Sequence, residues 1–64
     1  MDDKIIEAVI KHIRVKQAQL ADALASGAAK DYTQYQFICG EIRGLTVVEM
    51  YIQDLVKHLE TSDD

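Results

Sequence analysis

Ser26-Gly27-Ala28-Ala29-Lys30-Asp31-Tyr32-Thr33-Gln34 divides the chain into two periodic halves. Glycine readily takes the left-handed conformation that closes a helix, so Ser26 and Gly27 predict the end of one helix. Asp31 followed three residues later by Gln34 resembles a capping box, in which the Asp31 carboxylate accepts from the freed amides of the next first turn. Ala28 to Lys30 are then a connection of the length that reverses one helix against another. The expectation is an all-α antiparallel two-helix hairpin: helix 3–25, turn 26–31, helix 32–60 and a frayed acidic tail over 61–64.

Each half supports that reading with its own apolar spacing. In the first, Ile6, Ile10, Ile13, Gln17, Leu20 and Leu24 follow steps of three and four, the seam spacing of helices packed side by side. Ile5 and Val9 widen the stripe, Gln17 is its one polar member, and Asp2 and Asp3 suit a helix N-terminus. In the second, Tyr35, Ile38, Ile42, Leu45, Glu49, Ile52, Val56 and Leu59 form the matching seam. Folding about the turn pairs Leu24 with Tyr35, Leu20 with Ile38, Gln17 with Ile42, Ile13 with Leu45 and Ile6 with Ile52. It also sets Ala18 and Ala21 beside Gly40, where the backbones could approach closely.

The second helix carries more apolar surface than one neighbour can shelter. Phe37, Gly40, Gly44, Val47, Val48, Tyr51 and Leu55 form a second strip outside the seam. The two strips together exceed the roughly 100° arc that a surface helix buries. Glycine costs a helix about 1 kcal/mol relative to alanine, so Gly40 and Gly44, one turn apart, mark either a close approach by another backbone or a break in the helix. Glu41 and Arg43 lie between them and exclude the lipid setting in which this small-residue spacing is best known. A solitary hairpin would leave an apolar patch of several hundred Å² in water, which soluble monomers avoid. The strip is therefore the expected partner interface.

Size points the same way. A 64-residue chain buries only about 60% of its unfolded surface and is marginal alone, and small proteins offset this with disulfides, metals or association. Cys39 is the single cysteine, so no internal disulfide forms; a lone thiol fits a reducing compartment. His12 and His58 with Cys39 are too scattered for a zinc site. No metal and no cofactor are expected, which leaves association.

The charge is −4 overall, with Met1 to Lys16 at +1 and the remainder at −5. An acidic chain is repelled by phosphate backbones, so nucleic acid is not the expected main partner. No apolar run reaches the ~20 residues of a bilayer span, and the start lacks the pattern of a signal peptide.

No catalytic set emerges. Glu41 and Glu49 sit two turns apart, about 12 Å along one helix, too far to share a proton; Glu41 is expected to pair with Lys16 or Arg14, and Glu49 with Lys11. Cys39 has neither a neighbouring histidine nor a helix N-terminus to activate it and reads as a small buried apolar residue. His12 and His58 read as solvated. Without a basic groove, the three tyrosines and Phe37 read as core or interface aromatics. The chain is expected not to be an enzyme.

The stretches Asp31-Tyr32-Thr33-Gln34-Tyr35 and Cys39-Gly40-Glu41-Ile42-Arg43-Gly44-Leu45 resemble a group of small helical-hairpin proteins of tailed bacteriophages, encoded near head and packaging genes and without an assigned activity. The likeness extends over most of Lys4 to Leu59 and is distinctive in its centre. It implies a virion or virion-assembly component, binding itself or a portal, capsid or tail protein, made in the host cytoplasm and carried in the virion. The competing expectation is a small phage regulator that lays its exposed helix face on a host protein.

Overall fold

The structure, a computed structural model, describes residues 3–61. Helix α1 spans Asp3–Ala25 and helix α2 spans Tyr32–Thr61, packed against each other as a hairpin. Thr61 closes α2 rather than opening a tail, and the remaining tail residues, like Asp2 at the other end, lie outside the described residues. α2 runs unbroken through Gly40 and Gly44, so neither glycine starts a third element.

The turn forms by the local chemistry its residues carry. Gly27 has φ 84°, the left-handed conformation closed to most side chains. Around it Ala28 N–H donates to the Ala23 carbonyl at 2.9 Å and Gly27 N–H to the Leu24 carbonyl at 3.2 Å, the paired bonds of a Schellman cap. Across the connection Gln34 N–H donates to Asp31 Oδ1 at 2.8 Å, while the Gln34 side-chain oxygen accepts from Lys30 N–H at 2.9 Å. The return bond of the capping box thus lands one residue earlier than Asp31. It still satisfies a backbone donor that the turn would otherwise leave to water. Asp31→Ala should lower stability by about 1 kcal/mol, read as an earlier urea midpoint at unchanged slope; an unaltered midpoint would show that the cap contributes nothing.

The hairpin is a thin slab. Its principal extents are 52 × 18 × 12 Å, and the last of these is the width of a single helix. The radius of gyration is 15.1 Å, against about 11 Å for a compact domain of this length. With two helices in one layer, Ile13 alone among the described residues is buried, at 7% exposure. Its seam neighbours Ile6, Ile10, Leu20, Leu24, Ile38, Ile42, Leu45, Ile52 and Val56 are half-buried. Tyr35 and Leu59, expected in the same seam, are exposed: they sit at the two ends of α2, where α1 gives less cover.

Candidate protein-interaction face

The two broad sides of the slab differ. On one, polar side chains join the helices. Arg14 Nε and Nη2 donate to Glu49 Oε1 and Oε2, each at 3.2 Å, the two-pronged geometry that guanidinium and carboxylate favour. Gln53 Nε2 also donates to Glu49 Oε2 at 3.2 Å. One turn nearer the hairpin bend, Gln17 Nε2 donates to Thr46 Oγ1 at 2.8 Å, and that hydroxyl donates to the Ile42 carbonyl at 3.0 Å. The two polar residues of the seams, Gln17 and Glu49, are therefore both satisfied at its margin. The hydrogen bond and the negative charge of Glu49 raise the Arg14 pKa above its ordinary value, slightly opposed by desolvation.

Three expectations are corrected here. Glu49 pairs with Arg14, not Lys11. Gln17 reaches Thr46, one turn beyond Ile42. The cause is direction: side chains lean toward the N-terminus of their own helix, so in an antiparallel pair a long α1 side chain reaches toward the C-terminal end of α2. Where the residues are short and apolar the expected level holds, since Ile6 and Ile52 line one groove. Glu41, finally, is exposed and pairs neither with Arg14, which is engaged by Glu49 on the opposite side of the slab, nor with Lys16, which takes part in no ion pair among the described residues.

Ala18 and Ala21 are also not where matching along the axis had put them. Ala18 lines the polar side with Arg14 and Gln53, whereas a Cβ built on Gly40 or Gly44 meets no atom within 4 Å. The two glycines open onto solvent, away from α1. At neither glycine does the α1 backbone come close.

The other side is apolar. Between the free ends of the helices, Ile5, Ile6 and Val9 of α1 and Ile52, Leu55, Val56 and Leu59 of α2 line an open groove of about 420 Å³, with Asp3 and Glu60 at its mouth. From there the apolar surface follows α2 toward the turn. Leu55 is 42% exposed, Val48 49%, Tyr51 68%, Val47 56% and Phe37 69%, and Gly40 and Gly44 are exposed among them. Every residue of the strip read from the sequence thus faces water. The contribution of α1 was not foreseen: Ile5 and Val9, read as a widening of the seam, lie on the same side of the slab as Leu55. The signal was present, because in an antiparallel pair the flank of α1 carrying Ile5 and Val9 and the flank of α2 carrying Val48 and Leu55 turn to the same side.

Near the turn, Tyr32 and Tyr35 stack with ring centroids 6.3 Å apart, and the Gln36 amide donates to the Tyr32 hydroxyl. Cys39 is half-buried one turn along. Hydrogen bonding with Cys39, and then its charge, raises the Tyr35 pKa above the ordinary tyrosine value. Because the folded value is raised, this contribution to stability is present below pH ~10 and is lost as the pH rises through the Tyr35 pKa. Cys39→Ala should bring the Tyr35 titration down toward the ordinary value, followed by the ultraviolet absorbance of the phenolate; an unmoved curve would separate the two groups.

Among the described residues no His, Cys, Asp and Glu side chains gather into a metal-binding group, and no helix is long and apolar enough to cross a membrane. Comparison with protein-family models, curated proteins and solved structures finds no match.

Proposed function

We propose that the protein is a non-enzymatic assembly or adaptor module that completes its core against another protein surface. The observation that carries this reading is a two-helix slab with one buried residue among those described and an apolar side left in water. The accessible surface is 5278 Å², where a compact monomer of 7.2 kDa exposes about 4,100 Å². The surplus exceeds the roughly 800 Å² that each partner buries in a standard interface. A stable solitary existence would require that surface to stay wet.

The setting implied by the resemblance is a tailed phage, with the chain as a virion or virion-assembly component that binds itself or a portal, capsid or tail protein. The face includes Phe37, Gly40, Gly44, Val47, Val48, Tyr51 and Leu55, joined by Ile5 and Val9. Quantitative mass spectrometry of purified particles from the source phage tests the setting. A fixed copy number per particle is the expected result. Absence from particles, with tight one-to-one binding to a host protein, would replace it with the regulator. Light scattering on the isolated protein at micromolar concentration tests the module itself, which is expected to be an oligomer or to need its partner for order. A cooperatively folded monomer that binds nothing would overturn the reading.

A further inference from the structure

We infer that the apolar side is covered by a second copy of the chain, two hairpins stacked face to face about a two-fold axis parallel to their long axes to form a four-helix bundle. This rests on the assembly reading above and names the partner. The first argument is thickness. A slab 12 Å thick has no interior, and stable domains need two packed layers of secondary structure. A second hairpin of equal length and width supplies the missing layer. The surplus surface of each chain, about 1,200 Å² beyond the compact value of about 4,100 Å², is also enough for a stable dimer, in which each partner buries roughly 800 Å².

The second argument is the placement of charge, which selects both the partner and the axis. On the helical wheel Lys16 falls between Ile5 and Val9, beside His12, on the α1 half of the apolar side, and Glu41 falls between Leu55 and Ile52 on the α2 half. Lys16 and Glu41 are both exposed and take part in no ion pair or hydrogen bond among the described residues. An axis along the slab lays α1 of each copy on α2 of the other, antiparallel throughout, as in up-and-down bundles. It keeps levels matched, so the Ile5, Val9 and Leu55 end meets itself, and Lys16 comes over Glu41 of the second copy, twice by symmetry. Gly44, three residues beyond Glu41, leaves room there for the apolar lysine stem. An axis across the slab would instead set α1 on α1 and bring the two basic α1 halves together. It would also lay the apolar free end on the turn end.

The test is sedimentation equilibrium on the full chain at 0.15 M salt, where repulsion between the two −4 chains is screened beyond about 8 Å. The wild type should be a dimer. Lys16→Glu and Glu41→Lys should each weaken it about tenfold, since either places like charges opposite one another at two symmetric points. The double variant, with the signs exchanged, should recover most of that loss. Both substitutions are at exposed positions, and far-ultraviolet circular dichroism establishes that the helices persist in all three variants. A dimer indifferent to both single reversals, or not recovered by the double one, overturns the stacked arrangement while leaving assembly standing. A helical monomer that binds a larger structural protein overturns the second copy as partner and leaves the assembly reading intact. A folded monomer with neither property overturns both.

Discussion

Ile13→Ala is expected to remove about 3 kcal/mol of stability, the middle of the range for truncating a buried isoleucine. The size of the effect follows from how few residues are buried. Ile13 is the one described residue below a tenth of its exposure, at 7%, and it stands midway along the seam. A chain of 64 residues has about 3–10 kcal/mol of stability in all. The truncation therefore takes the protein to the edge of unfolding. Val15→Ala gives the comparison: Val15 is 46% exposed, so little burial is lost and alanine is the better helix former. Its effect should stay within about 0.5 kcal/mol. Urea unfolding followed by circular dichroism measures both. Equal effects would mean that the seam is not the source of stability.

Ile13 was legible in the sequence because it lies at the centre of a stripe whose spacing needs only helical geometry. The turn was legible for a similar reason: Gly27, Asp31 and Gln34 act within a few residues of themselves, and their bonds form much as the residue types require. What the sequence hid was the relation between the helices. Matching positions along the axis set Ala18 beside Gly40, but residues at one level can point to opposite sides of the slab, as these do. The same neglect of direction hid Thr46 as the partner of Gln17 and assigned Glu49 to Lys11. Both depend on the lean of long side chains rather than on spacing. The apolar strip of α2 was read correctly as surplus, whereas its continuation through Ile5 and Val9 required knowing which flanks share a side.

That surplus is most sharply probed at Gly44, where the hairpin and its assembly should respond with opposite signs. Within one chain a Cβ built at this position meets nothing within 4 Å, and replacing a helical glycine removes a penalty of about 1 kcal/mol. Gly44→Leu should therefore raise the helicity of the isolated hairpin. In the assembly the same leucine must enter whatever lies against the glycine, and overpacking a close contact forces helices apart at a cost of about 1–3 kcal/mol. Each 1.4 kcal/mol is tenfold in affinity, so the assembly weakens by ten- to a hundredfold. Cys39→Ser trims little volume at a half-buried site and should leave assembly nearly unchanged. Size-exclusion chromatography with light scattering reports mass, and circular dichroism reports helix content on the same samples. A Gly44→Leu protein that is more helical and smaller identifies the glycine as a contact used only between molecules. If it is more helical and still fully assembled, the glycine faces solvent in the assembly too, and the interface must be drawn around Leu55 and Val9 at the free end of the hairpin.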